Sequence, residues 1–342
     1  MLVTGHTGFK GGWLAAMLAR LGADVVGYSL PPQGEHSFFQ ATRLGQRVKS
    51  SFGDIRDATA LGRVMADATP EVIFHLAAQA LVLPSYQAPL ETYSTNVLGT
   101  AQVLESARAI PGLRALLVVT SDKVYENREW CWGYRENDAL GGHDPYSSSK
   151  AAAELVTAAY RDSFLRTRGV GVATARAGNV IGGGDWARDR IVADFVRATM
   201  EGRPLRVRNP RSTRPWQHVL DPLAGYLLLA ENLAEAPRRA EGAWNFGPAP
   251  EAVQPVSALS EELVRSWGES ATWSHEAVEQ PHEAAALTLD SAKARGELGW
   301  RPRLPFVASV GWTVEWYRAY ARGEDMEAFT LKQIDSYRGM TS

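Results

Sequence analysis

Tyr146 and Lys150 stand four residues apart in Tyr146-Ser147-Ser148-Ser149-Lys150. On a helix that spacing puts phenol and ammonium on one face, pointing into one pocket. A neighbouring cation eases ionisation of a phenol, and a phenolate can draw the proton from an alcohol. Upstream, Thr120-Ser121-Asp122-Lys123 closes an apolar run. Its hydroxyl can hydrogen-bond a reacting alcohol, while its acid and amine can each reach a neighbouring carbon. The alternative for Asp122 and Lys123 is a solvated pair at a strand end. Convergence of these groups with Tyr146 on one edge makes coincidence less attractive.

Oxidising an alcohol requires a hydride acceptor, and the N-terminus supplies a place for one. Gly5-His6-Thr7-Gly8-Phe9-Lys10-Gly11 follows an apolar run and opens a helical stretch. In that context Gly5, Gly8 and Gly11 let the backbone approach a dinucleotide pyrophosphate, whose charge sits at the helix N-terminus. Thr7, Phe9 and Lys10 belong to the same cradle. At the end of the second strand, Tyr28-Ser29 stand where an acid would identify NAD, and no Arg or Lys follows directly. Lys10 could favour a 2′-phosphate, so these residues leave NAD and NADP open. Asp54-Ile55 and Leu76-Ala77-Ala78-Gln79 lie at carboxyl ends of strands, where open parallel sheets bind ligands. Asp54 could accept from an adenine amine, and the small residues leave room for a cofactor. The plainer reading is a loop acid and a packing contact.

Positioning these groups requires alternating strands and helices. Short Val/Ile/Leu-rich runs predict strands at Leu2–Thr4, Asp24–Tyr28, Val48–Phe52, Val72–His75, Ala115–Thr120, Val170–Arg176 and Ala243–Phe246. Helices are predicted near Gly11–Leu21, Asp57–Ala66, Pro89–Arg108 and Tyr146–Arg168. The expected fold class is α/β: a Rossmann-type doubly wound parallel sheet with a smaller, mixed α/β C-terminal substrate domain. The expected division assigns 1–177 and 211–246 to the cofactor domain, and 178–210 and 247–342 to the substrate domain. From Ala177 onward, loops heavy in Gly, Pro, Arg and Trp take over, the kind that carry ligand contacts. The chain opens inside a strand that lies centrally in such a sheet and is usually longer, so further residues upstream are expected.

The 342 residues carry 36 basic and 38 acidic side chains, interspersed, for a net charge of −2. That balance gives no basic stripe for nucleic acid. Cys131 is the single cysteine. No intrachain disulfide can form, a cysteine-based zinc site is not expected, and a reducing, cytoplasmic setting fits. No apolar run approaches membrane-spanning length, so no membrane partner is expected.

Several segments together resemble the extended short-chain dehydrogenase/reductase superfamily, and within it the CDP-D-glucose 4,6-dehydratases. They include Gly5 through Leu14, Gly53-Asp54-Ile55-Arg56-Asp57, Thr92-Tyr93-Ser94-Thr95-Asn96, Ser121-Asp122-Lys123, Trp132 through Asn137, Arg176 through Trp186 and Arg214 through Val219. Related dTDP-glucose dehydratases look similar but carry Asp-Glu where this chain has Asp122-Lys123. The resemblance implies NAD as cofactor, with Asn96 and Thr120 joining the cofactor residues alongside Tyr146 and Lys150. It implies that Tyr146 oxidises carbon 4 of the sugar while Ser121 positions its hydroxyl. Water is then eliminated across carbons 5 and 6, with Lys123 as base and Asp122 as acid. That assignment needs a neutral lysine and a protonated aspartate. A shared proton or an ordered water is the alternative.

The resemblance further implies a nucleotide-sugar substrate held by Asn179, Arg190, Arg214, His282 and Glu283. Each of these taken singly could be a surface group. It also implies a homodimer through the two long Ala-rich helices. A 4-epimerase or another nucleotide-sugar dehydratase on the same scaffold is the first rival, and a non-catalytic nucleotide-binding module the second. An epimerase has no use for an acid/base pair at carbons 5 and 6.

Overall fold

A computed structural model describes residues 1–34, 36–268, 271–276 and 287–340. Seven strands form one parallel sheet: β1 (Leu2–Thr4), β2 (Val26–Ser29), β3 (Lys49–Phe52), β4 (Val72–His75), β5 (Ala115–Val119), β6 (Gly171–Arg176) and β7 (Gly242–Asn245). Their order is β7-β6-β5-β4-β1-β2-β3. The direction of winding reverses between β1 and β4, which opens a crevice at their carboxyl ends. Burial explains the run-like sequences: every residue of β1, β4, β5 and β6 is buried, as for strands covered on both faces. One apolar cluster joins α1 (Phe9–Arg20) to C-terminal helices through Trp13, Phe38 and Trp316, and another packs α2 (Ala58–Ala68) and α4 (Gly99–Ala107) on the opposite face.

Strand boundaries fall within two residues of the expected ones, the usual uncertainty at strand ends. Two helices differ more. The stretch expected as one helix from Pro89 to Arg108 is α3 (Pro89–Tyr93), a π-turn over Ser94–Leu98, and then α4. The stretch expected from Tyr146 to Arg168 is α5 (Pro145–Tyr160), a π-turn over Arg161–Leu165 and a short 3₁₀ turn. A π-turn adds a residue and rotates the later turns of the helix, and apolar periodicity does not register it. Small two-stranded pairings lie beyond the main sheet: Val180–Ile181 with Gln217–His218, Thr213–Pro215 with Val253–Pro255, and Leu205–Val207 with Trp273–His275. None of the described helices is long and apolar enough to cross a membrane.

Candidate active site

Cap chemistry places the phenol. Asp144 precedes α5 and its carboxylate accepts from the Ser147 amide (2.9 Å) and hydroxyl (2.6 Å), while Pro145 occupies the first helical position. The helix therefore starts one residue before Tyr146, and Lys150 follows one turn later. Both are buried, at 8 % and 7 % exposure. Lys150 Nζ donates to the Val119 carbonyl at the end of β5 (3.3 Å). Burial lowers the Lys150 pKa to about 8, with Glu154 opposing the shift. Burial raises the Tyr146 phenol; a hydrogen bond with Ser121 and the charges of Lys123 and Arg190 pull it back down. Lys123 and Arg190 thus lend their charge to the phenol from outside its own helix.

The end of β5 carries the second set. The Ser121 hydroxyl donates to Asp122 Oδ1 (2.9 Å) and accepts from the Lys123 amide (3.2 Å), and Lys123 Nζ donates to the same Oδ1 (3.3 Å). Asp122 is 1 % exposed and its Oδ2 has no hydrogen-bond partner among the described residues. That oxygen lies against Gly178, where an added Cβ would come within 1.9 Å of it. Gly178 thus makes room for the carboxylate. Ser121, Asp122, Lys123 and Tyr146 share one neighbourhood, as their hydrogen bonds and mutual electrostatics show.

The glycine turn closes the other side. Gly5 sits at φ +80°, and a Cβ there would lie 2.7 Å from the Ala77 amide nitrogen, so only glycine fits. A Cβ on Gly11 would meet the Gly5 carbonyl at 2.2 Å. Gly8 caps α1 without any side chain competing for the free amides of its first turn, which suits a pyrophosphate. Thr7 donates to the Leu30 carbonyl (2.9 Å) and bonds the Ser29 hydroxyl (2.7 Å), tying the turn to β2. Phe9 packs beside Gly182. Lys10 is half-buried; desolvation, then the charges of Arg190 and Lys150, lower its pKa to about 7, against the pull of Asp122 and Asp185. Its ammonium therefore feels the groups at the end of β5.

Remaining cofactor candidates line the same strand ends. Asp54 is gripped by Arg56 (2.6–3.0 Å), chiefly through that side-chain hydrogen bonding, which lowers its pKa. Ile55 is buried against Gly99. The Leu76 and Ala77 amides both donate to Thr4 Oγ1 (3.2 Å), and Ala78 is half-buried. Asn96, inside the π-turn, accepts from the Gln79 amide (2.8 Å) and gives its two amide hydrogens to Gln79 O (2.9 Å) and Ser149 Oγ (2.8 Å). Gln79 bonds Leu81 and Thr92. Asn96 and Gln79 are thus employed inside the protein, clamping the loop after β4 to α5. The Thr120 hydroxyl is likewise engaged, donating to Glu154 Oε1 (2.5 Å).

The substrate candidates divide. Arg190 pairs with Asp185 (3.6 Å) and reaches the Ala80 carbonyl (3.4 Å), spanning the mouth of the crevice. Asn179 has φ +50° and a buried Oδ1 with no hydrogen-bond partner among the described residues, next to Gly178. Arg214 is 9 % exposed and donates to the Thr213 carbonyl (2.9 Å). His282 and Glu283 lie outside the described residues. Among the tryptophans beside these segments, Trp132 is exposed, Trp130 stacks on Tyr134, Trp186 packs edge-on to Tyr317, and Trp216 is buried with its indole N–H on the Gln254 carbonyl. Sequence reasoning passed over Glu154 and Asp185. Glu154 stands four residues beyond Lys150, a same-face spacing that could have flagged it.

The profile of the family described as GDP-mannose 4,6 dehydratase matches residues 2–311. A CDP-glucose 4,6-dehydratase of Salmonella typhimurium is 47% identical over 348 residues, covering 100% of this chain and 97% of its own. A dTDP-glucose 4,6-dehydratase of Streptomyces antibioticus is 31% identical over 269 residues, covering 78% of this chain and 75% of its own. The solved dTDP-glucose 4,6-dehydratase of Streptomyces venezuelae, with NAD and TYD bound, superposes with a TM-score of 0.79 at 27% identity, covering 95% of this chain and 98% of that one. A profile match over so much of the sequence, beside a relative so similar along its whole length, means that this chain belongs to the GDP-mannose 4,6 dehydratase family.

Proposed function

We propose that the protein is an NAD-dependent CDP-glucose 4,6-dehydratase, converting CDP-glucose to its 4-keto-6-deoxy product with loss of water. The observation that carries the reading is the Asp122–Lys123 pair, with Ser121 bonded to the same carboxylate oxygen and the charges of Asp122 and Lys123 felt at the Tyr146 phenol. Tyr146 takes the proton of the 4-hydroxyl while Ser121 holds that hydroxyl in line. The chemistry NAD supplies when bound is acceptance of hydride from carbon 4 and its return to carbon 6. A ketone at carbon 4 acidifies the proton on carbon 5. Lys123 removes that proton and Asp122 protonates the departing 6-hydroxyl, with the lone Oδ2 of Asp122 free of competing bonds among the described residues. Carbon 5 is reprotonated at the end. Residues 1–177 and 211–246 hold the cofactor; Asn179, Arg190 and Arg214 bind the nucleotide-sugar with the rest of the chain, a guanidinium fork suiting its diphosphate.

In deuterated water the protein should give a product with solvent deuterium at carbon 5 and hydride carried internally to carbon 6. Turnover of dTDP-glucose in preference to CDP-glucose, or a simple 4-epimer without a keto product, would falsify this assignment. Lys123→Met should still oxidise carbon 4 yet fail to eliminate. The protein works as a cytoplasmic homodimer in deoxysugar formation of the kind used in lipopolysaccharide O-antigen. Support for the dimer comes from Leu90, Leu98 and Leu155, 83 %, 59 % and 62 % exposed along α3, the π-turn and α5. Leu155→Glu should turn a dimer into a monomer by light scattering; an unchanged mass excludes this face.

A further inference from the structure

Beneath the crevice lies a second ion pair to which the proposed reaction gives no role. Glu154 and Arg176 are 5 % and 3 % exposed. Arg176 Nε and Nη2 donate to the two Glu154 oxygens (2.9 and 3.0 Å), a bidentate fork. Each oxygen also accepts a hydroxyl: Thr120 on Oε1 and Thr174 on Oε2, both at 2.5 Å. The remaining Arg176 nitrogen, Nη1, donates to the Tyr125 hydroxyl (2.7 Å) and the Glu136 carbonyl (3.2 Å). Tyr125 in turn donates to Asn245 Oδ1 (2.7 Å), and Asn245 donates to the Tyr134 and Asp290 carbonyls (2.8 and 3.1 Å).

Thr120 and Tyr125 bracket Ser121-Asp122-Lys123. Glu154 sits on α5, the helix that carries Tyr146 and Lys150. We infer that the Glu154–Arg176 pair is a positioning device, gripping both flanks of the Ser121-Asp122-Lys123 segment and fixing it relative to the Tyr146 phenol. The physical need is geometric. Oxidation acts at carbon 4 and elimination at carbons 5 and 6 of one sugar, so the two sets of groups must hold a fixed separation. A loop at a strand end drifts unless tied, and small misplacements of catalytic groups are costly. The network ties this loop to β6 and α5, and its groups are buried away from water.

The kinetic part of this inference rests on the dehydratase reading; the structural part does not. Tyr125→Phe keeps the ring and removes the hydroxyl that links Arg176 to the downstream flank. Thr174→Val removes a hydroxyl from the same Glu154 carboxylate but touches neither flank. Amide hydrogen exchange of 121–125 should accelerate in Tyr125→Phe and stay as in the parent in Thr174→Val. In single turnovers with CDP-glucose, Tyr125→Phe should slow elimination about 10-fold or more while oxidation proceeds, so that reduced nicotinamide accumulates; Thr174→Val should change neither step more than about threefold. Equal effects of the two substitutions on exchange and on the partition between steps would overturn the inference and leave the pair as core packing. If the parent gives no keto product while the exchange contrast holds, the dehydratase reading falls and the positioning role stands.

Discussion

Two acid–base pairs share the end of β5, and they are built on opposite plans. In Glu154–Arg176 both carboxylate oxygens take two bonds each and all three guanidinium nitrogens donate. In Asp122–Lys123 the partners are sequence neighbours, one oxygen takes every contact, the other takes none among the described residues, and the lysine side chain is 33% exposed. A saturated pair gains nothing by changing its protonation and serves to fix backbone. A pair with a lone buried oxygen and an amine open to the crevice has proton positions to spare. Buried polar groups in stable proteins are normally satisfied, so the bare Oδ2 of Asp122 sets this pair apart from Glu154–Arg176.

The contrast can be broken from either side. Substituting Asp122→Asn should have the largest effect on turnover, a loss of about 100-fold or more with the thermal midpoint little changed, since few bonds are lost and general acid catalysis goes with the carboxyl. Retention of full activity would remove Asp122 from the reaction. Next in size, Glu154→Gln should cost about 3–5 kcal/mol in denaturant unfolding, because a buried guanidinium is left uncompensated, and the double substitution Glu154→Leu with Arg176→Met should recover most of that loss. A single substitution as mild as a surface change would show that water reaches the pair.

The smallest effect is a shift with pH. Burial first, and Glu154 against it, set the Lys150 pKa at about 8, below its ordinary value of 10.5. The unfolded chain therefore binds the extra proton more tightly. The cost of burying the charged lysine is fully present below pH 8 and is relieved as pH rises towards 10.5, so this group's contribution to stability rises across that window. Turnover should move the other way, declining above pH 8 as the ammonium near Tyr146 is lost. In Glu154→Gln the decline should begin at lower pH, since the carboxylate that supports the ammonium is gone. A pH–rate profile of both proteins measures it.

Much of the frame was legible because its physics is local. Strand runs of β4, β5 and β6 announce burial on both faces, the four-residue spacing of Tyr146 and Lys150 announces α5, and the spacing of Gly5, Gly8 and Gly11 announces a turn ahead of a helix. The π-turns at Ser94–Leu98 and Arg161–Leu165 were not legible, because apolar periodicity runs through them undisturbed. The resemblance puts Asn96 among the cofactor residues; its amide also closes on Gln79 and Ser149, partners 17 and 53 residues away that no local pattern announces.

By itself the sequence determined which chemical groups the protein owns and which local elements carry them: a phenol and an ammonium one helical turn apart, a hydroxyl, acid and amine in succession, and a glycine turn ahead of a helix. Those features depend on backbone propensity and periodicity, which act over a few residues. Tertiary structure alone decided that the charges of Lys123 and Arg190 reach Tyr146, that Gly178 shelters one oxygen of Asp122, and that Glu154 binds Arg176. Such pairings join segments far apart in the chain, and their strength depends on burial, which no single stretch of sequence contains.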